Sequence, residues 1–308
     1  MKLTIVMYHY VRKLSESDYP NINALEFELF VRQLDYLQEN YSIISLLQLL
    51  DYVRHNKALP VNPCLLTFDD GYKDHFQYVF PELYRRGLSG VFFPVVKTVT
   101  DRFMLDVNRI HYILASIADT HQLVKTIDQL CLESGIQQAD ISRLHQQYEH
   151  ANRLNTAETF YIKNLLQHAL PKGIRSEIAD ELFMRFVSRD SKGFANQLYL
   201  SESDILKMLD AGMSFGIHGY QHIRLDTSPI AMQTEEISRS IEFLDELGQG
   251  SESSVICYPY GEYDNQTIDI AKGLGCVLGF TTQPHVADLS SNPLILPRLD
   301  TIDISALM

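Results

Sequence analysis

Cysteine is scarce in this chain and scattered: Cys64, Cys131, Cys257 and Cys276 form no CxxC pair. That spacing excludes a zinc ribbon and argues against a disulfide framework. Positive charge is also short, with 26 Lys and Arg against 39 Asp and Glu and a formal net charge of −13. No basic footprint is therefore available for nucleic acid or an anionic membrane as main partner, although a basic pocket for an anionic substrate can hide in an acidic total. Long apolar runs are missing, and no stretch approaches the length of a membrane span. The opening Met1-Lys2-Leu3-Thr4-Ile5-Val6-Met7-Tyr8-His9 is too short for a secretory signal core and has no small-residue cleavage site. It reads as a first strand, and the default expectation for the compartment is cytoplasmic. Internal repeats and low-complexity tracts are absent.

What the 308 residues do contain, 45% hydrophobic and 21% charged, is the composition of a globular protein with a sizeable core. Short apolar runs recur and end in polar or special residues. Leu3–Tyr8 runs into His9, Cys64–Phe68 into Asp69 and Asp70, and Val91–Phe93 into Pro94. Met213–Ile217 runs into His218, Val255–Tyr258 into Pro259, and Cys276–Phe280 into Thr281. Continuous apolar runs of this kind suit strands of a parallel sheet buried on both faces. Helical patterns lie between them: Phe27–Glu39, Tyr78–Arg86 stopped by Gly87, Ser201–Leu209 opened by Ser-x-x-Asp, and Glu235–Leu247 stopped by Gly248. The alternation predicts an α/β fold of βα units closing into a barrel, whose chemistry gathers just past the strand ends. Residues 97–197 differ. With three glycines, one proline and apolar spacing such as Ile110, Ile113, Leu114 and Ile117, they read as a helical insertion of roughly 100 residues within a single domain.

Thr67-Phe68-Asp69-Asp70-Gly71 ends one apolar run, and His218-Gly219-Tyr220-Gln221-His222 ends another about 150 residues further on. Taken alone, Asp-Asp-Gly is usually a turn, and the two histidines would usually be ordinary surface or core residues. Placed at strand ends, side-chain alternation makes the two carboxylates diverge. One can then ligate a metal while the other faces the bound water as a base. One carboxylate with two histidines leaves coordination positions open, so the pattern points to a metal-dependent hydrolase. On a helix the HxxxH spacing would put both rings on one face, but Gly219 makes a loop the better expectation. Tyr258-Pro259-Tyr260-Gly261 is either a strand-ending turn or a rigid loop that offers a backbone N–H to an oxyanion.

Together these residues resemble the polysaccharide deacetylases, the carbohydrate esterase group with the NodB homology domain. Thr67–Tyr72 (TFDDGY) resembles the family's first motif, which implies Asp69 as catalytic base and Asp70 as metal ligand. His218–His222 (HGYQH) resembles its H-[ST]-x-x-H motif, which implies His218 and His222 as the other ligands. Tyr258–Gly261 (YPYG) resembles its third motif, implying that the Tyr260 N–H meets the oxyanion. Met7–Val11 (MYHYV) resembles the YHxV opening of the branch acting on poly-β-1,6-N-acetylglucosamine, implying His9 as general acid. The resemblance covers residues 1–96 and about 199–300, implies a distorted β/α barrel, and leaves the insertion unexplained. Tyr72 and Pro259, inside those motifs, and His111, at the edge of a well-patterned insertion helix, are the expected substrate contacts.

The chain departs from the family pattern in three places. Gly219 stands where a Ser or Thr is usual. Cys257 stands where many members carry an Arg that orients the base, with Arg298 as the substitute. The late leucine–histidine motif has no counterpart; His285 lies in the right region but the wrong context, so His9 is the preferred acid. His111, His121, His145, His150 and His168 of the insertion otherwise read as solvated helix residues, and Cys64 and Cys257 as packing residues.

The resemblance implies hydrolysis of an N-acyl group, acetyl above all, from an amino sugar, with a divalent metal, Zn²⁺ ahead of Co²⁺ or Ni²⁺. With no signal segment read, the expected substrate is a nucleotide-linked or lipid-linked precursor of surface polysaccharide (O-antigen or capsule) or an oligomer, and a homo-oligomer is possible. The alternatives are a deformylase or other N-deacylase, a non-haem iron oxygenase, whose usual antiparallel folds the βα pattern disfavours, and a metal-free carbohydrate-binding relic.

Overall fold

The computed structural model describes residues 1–151, 155–249 and 254–308. They separate into two compact units: Met1–Lys13 with Ala24–Phe103 and Ala195–Met308, and Leu14–Asn23 with Met104–Phe194.

The first unit is built on seven strands: β1 (Lys2–Tyr8), β2 (Pro63–Asp70), β3 (Val91–Pro94), β4 (Ser214–Phe215), β5 (Val255–Cys257), β6 (Leu278–Phe280) and β7 (Leu299–Asp300). β1 to β4 pair in parallel in that order, as do β5 and β6. The pairs include Val6 with Leu66, Phe68 with Phe92, Phe92 with Phe215, and Cys257 with Phe280. β7 returns to β1 through Val6 and Leu299, which closes the circuit in chain order. Two joints are single bridges, Ile217 with Ile256 and Phe280 with Leu296. The barrel is therefore closed but distorted, the α/β architecture expected from the alternation of runs.

Alternation along the strands sorts the core into two layers. Ile5, Leu65, Phe93, Val255, Phe280 and Leu296 share one cluster, covered by Leu46, Leu49 and Leu50 of the helix Leu46–His55. Val6, Leu66, Phe92, Phe215 and Ile256 share the other, against Leu34 and Leu37 of the helix Phe27–Asn40 and Ile237 and Ile241 of the helix Ile230–Glu246. The expected strand Met213–Ile217 has two regular strand residues, Ser214 and Phe215, and Gly216 follows them. A Cβ there would run into Phe93 and Val255, so the barrel interior tolerates no side chain at that point.

Local signals set most helix ends. Ser201 and Asp204 form the capping box read from Ser-x-x-Asp, opening the helix Glu202–Asp210. The expected helix Tyr78–Arg86 begins as a π-turn at His75 and continues as Phe80–Arg85. The helix expected from Glu235 starts five residues earlier, at Ile230 behind Pro229. No helix among the described residues is long and apolar enough to cross a membrane.

The second unit is helical. Its main helices are Asp106–Ser116, Thr120–Glu133, Gln138–Tyr148, Ala157–Asn164 and Lys172–Phe186. Its boundaries are tighter than residues 97–197 at both ends, since the short helix Val96–Thr100 packs with the barrel unit, and the unit also takes in Leu14–Asn23. His111 lies half-buried on the first of these helices.

His145 departs from the solvated reading. Its Nε2 lies 2.8 Å from Asp128 Oδ2 and its Nδ1 2.7 Å from Glu149 Oε2, with the ring stacked on Tyr161. Partial burial opposes the charged ring, but the two carboxylates outweigh it and hold the pKa above the ordinary value. A raised folded-state pKa stabilises below the unfolded value of about 6.5 and is lost as pH climbs through the folded value. Urea midpoints of the wild type should therefore fall above neutrality more steeply than those of His145→Gln. Parallel slopes would refute this reading.

Candidate active site

The parity that fills the barrel also builds the site. Counting inward positions in twos, Leu65 leads to Thr67 and Asp69, Gly216 to His218, Val255 to Cys257, and Leu296 to Arg298. Asp69, His218, Cys257 and Arg298 are all buried. Asp70 is the next residue along β2, and its left-handed backbone, φ 68°, breaks the strand geometry at that point. Asp70, His222 (φ 59°) and Tyr260 (φ 61°) are three of the six non-glycine residues with positive φ among those described. Such conformations cost energy and concentrate where side chains must be aimed.

The expected divergence of the two carboxylates is present. Asp69 forms a two-pronged ion pair with Arg298, Nη1 to Oδ1 at 2.8 Å and Nη2 to Oδ2 at 2.7 Å. The other donors of the guanidinium are also engaged: Nε to the Thr281 carbonyl, Nη1 to Thr67 Oγ1 and Nη2 to Cys257 Sγ. Thr67 Oγ1 in turn donates to the Val6 carbonyl at 2.7 Å. All five guanidinium N–H groups thus have acceptors, the condition under which a buried pair is tolerated. Burial pushes the Asp69 carboxyl up, but Arg298, His218 and His9 overcome it and hold the pKa at about 2. His9 Nε2 stands 3.9 Å from Asp69 Oδ2 on a partly exposed side chain. Its backbone carbonyl lies 2.8 Å from Nε2 of the buried His75.

Asp70 faces the histidines. Its Oδ1 is 3.4 Å from Nε2 of both His218 and His222, and it is buried with no hydrogen-bond partner among the described residues. Ligand atoms about 2.0–2.1 Å from a tetrahedral ion lie about 3.3–3.4 Å apart, so these three atoms fit a divalent cation. The outer contacts suit the same purpose. Tyr72 donates to Asp70 Oδ2 at 2.6 Å, and His218 Nδ1 lies 2.7 Å from the Cys257 carbonyl, which leaves Nε2 for a ligand. Burial lowers His222 to about 3, aided by His218 and His9 against the pull of Asp70, so its ring is a neutral lone-pair donor. Burial also disfavours charge on His218, but Cys257 and Asp70 raise its pKa. Asp69, His218 and Cys257 form a second close donor set. The Arg298 charge beside Asp69 makes that set unfit for a metal ion.

Tyr72 is fully buried under Asp70. Its hydroxyl, donating to Asp70 Oδ2, orients that carboxylate. Pro259 is buried in the turn Pro259–Gly261, where the Tyr260 ring lies 4.5 Å from His222. His285 sits on an exposed turn beyond β6, while His9 lies beside Asp69. Thr67, His75 and Glu236 went unassigned in the sequence. Nothing marks His75 locally. Glu236, buried on a helix whose neighbours look like an ordinary solvated face, accepts a 2.8 Å hydrogen bond from the Gln221 N–H.

The sequence model of the polysaccharide deacetylase family matches residues 157–279, which takes in both histidines and the Tyr258–Gly261 turn but not Asp69 and Asp70. YxkH of Bacillus subtilis (strain 168), which bears a polysaccharide deacetylase name, is 26% identical over 108 residues, 35% of this chain and 38% of that protein. The chain thus matches well under half the length of that relative. Among solved structures, the Streptococcus pyogenes deacetylase PplD, in complex with acetate, is 20% identical with a TM-score of 0.59, over 97% of this chain and 92% of that one. IcaB from Ammonifex degensii is 18% identical with a TM-score of 0.56, over 97% and 91%. The BpsB deacetylase domain from Bordetella bronchiseptica is 15% identical with a TM-score of 0.56, over 97% and 95%. Residues 157–279 are thus similar in sequence to the polysaccharide deacetylases, and the structural matches show that the chain shares the NodB-like barrel fold of these solved deacetylases.

Proposed function

We propose that the chain is a metal-dependent N-deacetylase of an amino sugar that serves surface polysaccharide synthesis. The observation that carries this reading is Asp70 Oδ1, unpartnered and equidistant from two imidazole Nε2 atoms, beside a carboxylate locked by Arg298. A divalent ion held by Asp70, His218 and His222, Zn²⁺ before Co²⁺ or Ni²⁺, supplies Lewis acidity to the acyl carbonyl and to water.

The remaining steps belong to the chain's own groups. Asp69, kept ionised and aimed by Arg298, takes the proton of the attacking water as its oxygen bonds to the acyl carbon. The backbone N–H at Tyr260, in its left-handed turn, is assigned to the developing oxyanion. His9, the partly exposed imidazole beside Asp69, gives its proton to the sugar nitrogen as the C–N bond breaks, so that amine and acetate leave. The choice of an N-acetylated hexosamine is supported by the YHxV-like opening and by shared fold with IcaB and the BpsB deacetylase domain. Free, nucleotide-linked, lipid-linked and oligomeric forms are the candidates to rank.

Acetate and formate release from such a panel tests the reading. Acetate should appear with Zn²⁺ or Co²⁺, stop on chelation and return on adding metal back. Silence across the panel from folded, metal-loaded protein would overturn the assignment, and formate in place of acetate would make it a deformylase.

A further inference from the structure

We infer that Glu236 is a positioning residue for the metal site, bracing the His218–His222 loop so that His222 ligates. The inference rests on the metal-site reading above. His218 is aimed through its own ring, by the Cys257 carbonyl. His222 is not: its Nδ1 is buried with no hydrogen-bond partner among the described residues. The place of its Nε2 therefore depends on the loop backbone, which takes left-handed conformations at both Gly219 (φ 76°) and His222 (φ 59°).

Two elements clamp that backbone from opposite chemical sides. The helix Val96–Thr100 serves the carbonyls, with Val96 N donating to Gly219 O at 3.3 Å and Lys97 N to Tyr220 O at 2.9 Å. Lys97 Nζ also reaches the Gln221 side chain at 3.0 Å. The helix Ile230–Glu246 serves an N–H group: Glu236 Oε2 accepts from Gln221 N at 2.8 Å. Glu236 is 2% exposed, and a carboxylate is desolvated to this degree only where its hydrogen bonds repay it.

Gly219 completes the fit. A Cβ there would sit 2.9 Å from Glu236 Oε2, so the loop gives up a side chain at the position the carboxylate occupies. Glycine and glutamate form one device, in which the helix supplies the brace that residue 219 cannot.

The test uses the full chain stripped of metal, with Zn²⁺ as probe. Affinity is measured by competition with a chelating indicator, and urea unfolding of the metal-free protein is followed in parallel. Removing an outer partner of a ligand typically weakens metal binding about 10–100-fold, and Glu236→Ala should do so. Glu236→Gln, which keeps a carbonyl acceptor for the loop, should recover most of the affinity. Glu236→Asp keeps the charge but falls one methylene short, and it should bind weakly; it decides the matter if the alanine variant does not fold. A merely structural glutamate would lower the urea midpoint and leave the Zn²⁺ affinity of the folded protein within about threefold of wild type, below the range for such partners. That result overturns the inference. Failure of the wild type itself to bind Zn²⁺ would sink the metal-site reading, and the inference with it, before any variant is compared.

Discussion

Asp69→Asn is expected to lower turnover about 100- to 10,000-fold, the usual worth of a general base, while one Zn²⁺ per chain stays bound. The reason lies in the division of labour between adjacent carboxylates. Asp70 alone points at the histidines, and Asp69 is taken up by Arg298. Asparagine keeps the shape and one acceptor oxygen but cannot take a proton. It also leaves Arg298 buried without its counter-ion, and breaking a buried pair from one side costs about 3–5 kcal/mol. The variant must therefore be assayed at a temperature where it is shown to be folded. Near-normal kcat with folded, metal-bound protein would remove Asp69 from the mechanism.

Arg298→Met should cost comparable stability near neutrality and reverse the sign of its pH dependence. In the wild type Asp69 is held at about 2, below an unfolded value of about 3.9. Its contribution is thus present above the unfolded value and is lost as pH falls toward 2. Without Arg298, burial is opposed only by His218 and His9, and the Asp69 pKa moves up. A folded-state pKa above the unfolded one makes the folded protein bind more protons, so stability then declines as pH rises. Urea midpoints of the variant should fall from acid pH upward where those of the wild type rise, with a loss of about 3–5 kcal/mol near neutrality. The acid limb of the kcat/KM profile should move to higher pH, since a protonated Asp69 cannot act as base. Matching slopes in the two proteins would show that the pair does not tune Asp69.

Cys257 touches both partners of the Asp69–Arg298 pair. The guanidinium enters from the strand segment before β7, and its Nη2 lies 3.1 Å from Cys257 Sγ, while the thiol donates to Asp69 Oδ2 at 3.4 Å. A residue 229 positions from Asp69 along the chain thus stands beside the position where the family pattern carries its own arginine.

Much of the architecture was legible from the sequence because its causes are local. Apolar runs of strand length, glycine stops and the Ser201 capping box each act within a few residues, and the strand ends carry Asp69, Asp70 and His218 whatever the rest of the chain does. The second unit's helices were legible for the same reason, through their apolar spacing. What the sequence could not decide depends on contacts between distant segments. The Tyr72 hydroxyl turned under Asp70 and the brace from Glu236 to Gln221 arise only when the barrel closes. Closure itself rests on two single bridges, Ile217 with Ile256 and Phe280 with Leu296, too short to leave a periodic signal. Backbone period places each side chain inside or outside its own strand; only the register between strands determines which inward side chains meet.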